Sequence, residues 1–181
     1  QARPETVQSQ KSANVMKTYV LEEKGKILVE GLSLGESIIT GKVCLIKSVK
    51  EIDTFVPGSI LVTEMTDPDW VPIMSQAAGI VTDQGGRTCH AAIVSRELGV
   101  PAIVGTGNAT NILQDEQKIT LSCAEGYRGY IYEGWLKYKT TDVSLVQLPE
   151  TRTQIMLNLA SPDSAFRWWQ LPARGGDWLA W

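Results

Sequence analysis

Asp83-Gln84-Gly85-Gly86-Arg87-Thr88-Cys89-His90-Ala91-Ala92-Ile93-Val94-Ser95-Arg96-Glu97-Leu98-Gly99 carries the chain's only histidine. Immediately before it, Gly79-Ile80-Val81-Thr82 has the small and β-branched residues of a short buried strand running into a turn. Gly85-Gly86 supplies the backbone freedom for a sharp reversal and for close approach of a bulky ligand. From Cys89 the pattern turns helical, with Ala91, Val94 and Leu98 marking one apolar face. Gly99 and Pro101 form a stop, and Thr88 is the expected N-cap. His90 therefore falls in the first turn of a helix, directly after a glycine turn.

The first helical turn has unpaired N–H groups and a partial positive charge, so it favours a bound or covalent anion. The same dipole disfavours an imidazolium and keeps the ring uncharged and nucleophilic. An imidazole nitrogen attacking phosphorus becomes a phosphohistidine. The helix N-terminus, Gly86, Arg87 and the Thr88 hydroxyl are then the groups placed to stabilise the new anion. A lone histidine is more often an ordinary surface or core residue, but the Gly-Gly-Arg-Thr context favours chemistry here. For Arg87 a solvated arginine is the standing alternative.

Gly85 to Gly105, read through His90-Ala91-Ala92-Ile93-Val94 and Val100-Pro101-Ala102-Ile103-Val104, closely resembles the phosphohistidine mobile domain of PEP-utilising enzymes. Within that family Thr88-Cys89-His90 resembles the phosphoenolpyruvate synthases (pyruvate, water dikinases). Pyruvate phosphate dikinases and enzyme I of the sugar phosphotransferase system usually carry Ser where Cys89 stands, and they form the alternative within phosphotransfer. The resemblance implies an α/β fold, a β/β/α swivelling domain. It implies that His90 carries a phosphoryl group derived from ATP to pyruvate to make PEP, with AMP and phosphate as the other products. It also implies ATP and Mg²⁺ as cofactors of the full-length enzyme, bound on other domains and not on this segment. The implied partners are an ATP-grasp nucleotide domain and a PEP/pyruvate barrel domain. Thr88 becomes a candidate regulatory phosphorylation site for a kinase/phosphorylase.

Composition describes an ordinary soluble protein. The chain has 181 residues, 43% hydrophobic and 20% charged, with a formal net charge of −3. No basic excess points to nucleic acid or an anionic membrane. No apolar run approaches a membrane span, and the first residues lack a signal-peptide pattern. Three widely spaced cysteines suit reduced thiols in a cytoplasmic setting.

Strand-rich segments follow one another: Lys26–Glu30, Gly41–Ile46, Ser59–Thr63, Gly79–Thr82, Pro101–Val104, Ile119–Cys123 and Gly129–Tyr132. A helix capped by Thr66 or Asp67, with Pro68 in its first turn, buries Val71, Met74 and Ala78. Two helices among these strands predict a compact sheet-rich α/β domain. The organisation expected is 1–24 as the tail of the ATP-grasp domain and a linker, 25–135 as the mobile domain, 136–152 as a second linker, and 153–181 as the truncated start of a TIM barrel. Gln1 and Arg3 match nucleotide-site positions in the family, though the rest of that domain lies elsewhere. Gln154–Leu159 reads as a strand and Ser161-Pro162 as a helix start, resembling the first barrel βα unit. Such a piece is far short of the roughly 200 residues of a barrel. Trp168, Trp169, Trp178 and Trp181 crowd this end, where the chain departs from the family and orphaned apolar surface is expected.

Other constellations fail. Neighbours on a helix point about 100° apart, so Cys89 and His90 are no thiol–imidazole dyad. No Cys-x-x-Cys exists for zinc. Gly105-Thr106-Gly107 lacks a third glycine for a dinucleotide turn, since Thr110 stands there. Asp83 is expected as a solvated turn residue, and Ser95 and Arg96 as helix surface. A non-catalytic interaction fragment is the alternative from another class.

Overall fold

A computed structural model describes residues 15–23, 25–144, 153, 156–159 and 175–178. The chain divides into two compact units, Thr18–Thr140 and the residues on either side of it. In the flanking unit Met156–Leu159 (β10) and Gly175–Trp178 (β11) pair in parallel, Met156 opposite Gly175. The expected helix at Ser161-Pro162, and Gln1, Arg3 and most of the tryptophan-rich end, lie outside the described residues.

Thr18–Thr140 is built on seven strands: Ile27–Leu34 (β2), Ile38–Leu45 (β3), Ile60–Thr63 (β4), Gly79–Thr82 (β5), Ala102–Val104 (β6), Lys118–Ser122 (β7) and Arg128–Glu133 (β8). They close into a barrel of order β2-β6-β5-β4-β3-β7-β8. Strands β3, β4, β5 and β6 run parallel, whereas the β2, β7 and β8 pairings are antiparallel. Each parallel connection around β5 carries a helix, Val71–Met74 (α1) before it and His90–Leu98 (α2) after it. A third short helix, Ala109–Ile112 (α3), follows β6.

The apolar runs of β4, β5 and β6 reflect burial on both faces. Alternation along the pleat sends Ile60, Val62, Val81 and Ile103 into one core with Val43, Ile119, Leu121 and Ile131. It sends Leu61, Ile80, Ala102 and Val104 to the other face, against Trp70, Ile73 and Met74 and against Ala91 and Ala92 of α2. Closure removes the sheet edges that an open arrangement would expose.

Several expectations are corrected. The helix after Pro68 is a 3-10 turn, Pro68–Trp70, followed by only four α-helical residues. Asp67 caps it by accepting the Asp69 amide at 2.9 Å, and Ile73, Met74 and Ala77 are buried in place of Val71 and Ala78. Helix α2 buries Ala91, Ala92 and Ser95, with Leu98 38% exposed. Small residues on that face let α2 lie close to the sheet, so Ser95 is not helix surface. Its hydroxyl bonds the Ala92 carbonyl at 3.1 Å. The stretches read as linkers also contain strands: Val15–Leu21 (β1) pairs with Tyr138–Ser144 (β9).

Candidate functional site

Parallel strands end at the same side of a sheet, so the segments leaving β4, β5 and β6 converge. They are residues 64–67, 83–89 and 105–108, and backbone bonds stitch them together. The Gln84 amide donates to the Glu64 carbonyl (2.8 Å), the Gly107 amide to the Asp83 carbonyl (2.9 Å), and the Thr106 amide to the Thr82 carbonyl (3.1 Å). His90 stands at the centre of this junction, as the first residue of α2.

The turn that delivers His90 closes when the Cys89 amide donates to the Gly86 carbonyl at 3.1 Å. Cys89 is therefore the N-cap, in extended conformation, and Thr88 lies exposed within the turn; the expected Thr88 cap is one residue early. The Cys89 side chain makes no capping bond, and no acidic residue sits in the first turn. Helix N–H groups are thus left available to an anion at the residue that bears the imidazole. At the far end Gly99 adopts φ 70°, and the Val100 amide reaches the Ser95 carbonyl at 2.9 Å, a Schellman stop.

Two glycines are dictated by this geometry. Gly85 has φ 115°, and a Cβ there would lie 2.6 Å from Cys89 Sγ. Gly105 has φ 69°, and its Cβ would lie 2.7 Å from the Gly85 carbonyl oxygen. The two loops touch backbone to backbone. Gly86 differs, because nothing lies within 4 Å of the space a Cβ would take.

His90 is half-buried, with Nδ1 3.0 Å from the hydroxyl of Thr66, itself 7% exposed. An uncharged imidazole carries one proton. With that proton on Nδ1, donated to Thr66, Nε2 keeps its lone pair. Sequence reading treated Thr66 only as a helix cap. The usable signal was its place at the end of β4, the strand beside β5, whose exit loop bears His90.

Asp83 is not a solvated turn residue; it is 7% exposed. Its carboxyl oxygens accept the Thr106 hydroxyl at 2.9 Å, the Thr110 amide at 3.3 Å and the Thr110 hydroxyl. The threonines of the rejected dinucleotide-like stretch thus clamp the histidine loop. Arg87 is exposed, with its guanidinium carbon 4.7 Å from the centre of the Tyr127 ring. Its carbonyl accepts Arg96 Nη1 at 2.8 Å. The structure brings together His90, Thr66 and the α2 N-terminus, with Gly86, Arg87 and Thr88 on the loop leading in.

Among the described residues, no group of three His, Cys, Asp or Glu side chains could hold a metal ion, and no helix is long and apolar enough to cross a membrane. Cys44, Cys89 and Cys123 are free thiols.

Residues 55–126 match the family described as PEP-utilising enzyme, mobile domain. Over 97% of its length the chain is 54% identical to a phosphoenolpyruvate synthase of Pseudomonas aeruginosa, covering 22% of that protein. It is 51% identical to one of Aquifex aeolicus and 47% identical to one of Escherichia coli, covering 97% of this chain and 21% and 22% of those proteins. The chain spans about a fifth of the length of the curated relatives it matches.

Proposed function

We propose that this chain is the mobile domain of a PEP-utilising enzyme, supported by the match over residues 55–126 and the identity to the synthases, and that His90 is the phosphoryl-carrying nucleophile of a phosphoenolpyruvate synthase. The observation that carries this reading is the Thr66 hydroxyl 3.0 Å from Nδ1 of a histidine at an uncapped helix N-terminus. Donation of Nδ1–H to Thr66 fixes the tautomer and turns the Nε2 lone pair to the phosphorus. An N–P bond forms at Nε2 as the donor's P–O bond breaks, and the leaving oxygen keeps the electron pair. In the second step pyruvate gives a methyl proton to a base of the acceptor site, its enolate oxygen takes the phosphoryl group, and the N–P electrons return to Nε2. We assign the contacts to the phosphoryl oxygens to the α2 amides, the Gly86 backbone, the Arg87 guanidinium and the Thr88 hydroxyl, on the helix N-terminus and the loop leading into it.

The overall reaction so served is ATP, pyruvate and water to AMP, PEP and phosphate, so two P–O bonds of ATP break: one as AMP leaves, the other as water carries off the terminal phosphate and one phosphoryl group stays on Nε2. ATP and Mg²⁺ would bind on an ATP-grasp domain and a PEP/pyruvate barrel. In this reading residues 25–135 are the travelling domain, 1–24 the tail of the ATP-grasp domain and a linker, 136–152 a second linker, and 153–181 the start of the barrel, with the paired strands β1 and β9 lying in the two connecting stretches; tethering raises effective concentration at two separate sites. Identity to the synthases favours this reaction over that of a dikinase or enzyme I. An interaction fragment would have no use for the Thr66–His90 pairing. A cytoplasmic location suits three free thiols.

The test is phosphoryl labelling read by intact mass and phosphorus NMR. The donor is ATP with Mg²⁺ and a separately expressed nucleotide domain, or phosphoramidate acting on the chain alone. With phosphoramidate the P–N bond breaks, ammonia leaves, and the N–P bond forms at Nε2. One acid-labile phosphoryl group, absent in His90→Ala, is the expected result. No label from either donor on folded protein overturns the carrier reading.

A further inference from the structure

Tyr127 sits in the turn between β7 and β8, after Gly126 with φ 91°. Its carbonyl is pinned by the Ser33 amide at 3.1 Å, yet its ring is 77% exposed and contributes little to the core. What the ring does touch is Arg87, whose guanidinium carbon lies 4.7 Å from its centre. The backbone of Arg87 is held in turn by Arg96 Nη1 on its carbonyl.

The manner of holding matters. The neighbouring Arg128 is paired with the Glu30 carboxylate, which consumes guanidinium donors and neutralises the charge. Among the described residues no carboxylate pairs with Arg87. An aromatic face attracts the cation through the ring quadrupole, perpendicular to the guanidinium's in-plane N–H groups. A ring can therefore restrict an arginine while leaving its donors and its charge open to an anion.

We propose that Tyr127 is a positioning residue for Arg87, holding the guanidinium by its ring face so that its N–H groups remain open to the phosphoryl oxygens carried at His90. This rests on the carrier reading of His90. It assigns the turn between β7 and β8, sequence-distant from the histidine loop, a part in the transfer step.

The experiment measures the rate at which phosphoramidate labels His90 in the 181-residue chain. Variants are Tyr127→Leu, Tyr127→Phe, Arg87→Ala, and Tyr127→Leu with Arg87→Ala, each checked for an unchanged melting temperature. Tyr127→Leu is expected to slow labelling about two- to fivefold, the scale of an exposed cation–π contact. Tyr127→Phe keeps the ring and restores the rate. In the Arg87→Ala background Tyr127→Leu has no further effect, because the ring has nothing left to position. The Arg87 Nε–Hε signal should also lose its ring-current shift in Tyr127→Leu and keep it in Tyr127→Phe. Wild-type labelling with Tyr127→Leu unaffected, or an equal loss in the Arg87→Ala background, overturns the assignment of Tyr127 alone. An unlabelled wild type overturns the carrier reading, and this assignment falls with it.

Discussion

The hydroxyl of Thr66 and Nδ1 of His90 lie 3.0 Å apart, although 24 residues separate them, because each follows the end of one of two adjacent parallel strands. A hydroxyl in that place can accept the Nδ1 proton, and in that arrangement Nε2 keeps its lone pair. Thr66→Val has nearly the same shape and cannot accept the Nδ1 proton. A net hydrogen bond is worth about 0.5–1.5 kcal/mol, so the labelling rate should fall roughly two- to twelvefold. Thr66→Ser should recover most of it. Nitrogen-15 shifts of the ring report the tautomer directly. A Thr66→Val protein that keeps the wild-type tautomer and rate would remove Thr66 from the transfer step.

Asp83 ties the histidine loop to the loop after β6 through Thr106 and Thr110. Asp83→Ala would strand these donors in a half-buried setting. The cost of unpaired groups of this kind is about 2–3 kcal/mol, which at about 2–4 °C per kcal/mol lowers Tm by roughly 4–12 °C. Calorimetry measures this. A Tm within one degree of wild type would show that the clamp is replaceable by water.

The legible parts of this site were local in sequence. Gly85-Gly86, the helix from His90 and the stop at Gly99 each depend on neighbours within a few residues, and the structure places them within one residue of the reading. Strand positions were legible for the same reason, since β-branched runs such as Ile80-Val81-Thr82 mark buried strands. Closure was not. Nothing in β2 announces that it pairs with β6 on one side and β8 on the other. The partners that define the site, Thr66 to His90, Thr106 and Thr110 to Asp83, and Tyr127 to Arg87, all reach across that closed sheet. The face of α2 was read correctly at Ala91 and Val94 and misread at Leu98, because periodicity favours bulky apolar residues, whereas close helix–sheet packing also selected Ala92 and Ser95.

Gly105 and Gly86 separate a folding role from a ligand role. Gly105→Ala places a Cβ 2.7 Å from the Gly85 carbonyl oxygen at a φ of 69°, so backbone must move. A non-glycine residue in that region costs about 1–3 kcal/mol before the overlap is counted. Gly105→Ala should lower Tm by several degrees. Gly86→Ala meets no neighbour within 4 Å and should leave Tm near wild type. If the Gly86 backbone meets the phosphoryl oxygens, Gly86→Ala should still slow labelling. Equal melting temperatures for the two variants would contradict the close contact of the loops.

Stability should fall at alkaline pH through two residues away from the site. Burial pushes the Cys123 thiol above its ordinary 9.0, opposed by hydrogen bonds from its surroundings. Burial, then hydrogen bonding to the Glu125 carboxylate, pushes the Tyr132 hydroxyl well above its ordinary 10.0. The folded state holds both protons after the unfolded chain has released them. Their stabilising contribution is therefore complete below about pH 9 and is lost as pH rises from there towards the raised folded values. Tm measured from pH 7 to 11 should decline above pH 9. Tyr132→Phe should decline less steeply above pH 10. An unchanged slope in that variant would show that Tyr132 does not contribute to the linkage.

Thr88 is exposed, two residues before His90, and its hydroxyl caps nothing. A modifying enzyme can reach it without unfolding the helix. A phosphate there would bring about −1.5 to −2 charges to the place where an incoming phosphoryl group must arrive. It would also compete for the free α2 amides. Thr88→Val removes one hydroxyl donor to the phosphoryl oxygens and should slow labelling of His90 by roughly tenfold, whereas Thr88→Glu adds part of the phosphate's charge and is expected to suppress labelling well beyond that. Because like-charge repulsion is screened at high ionic strength, added salt should restore part of the Thr88→Glu rate and leave Thr88→Val unaffected. Full labelling of Thr88→Glu by a competent nucleotide domain at low salt would rule out Thr88 as an electrostatic control point.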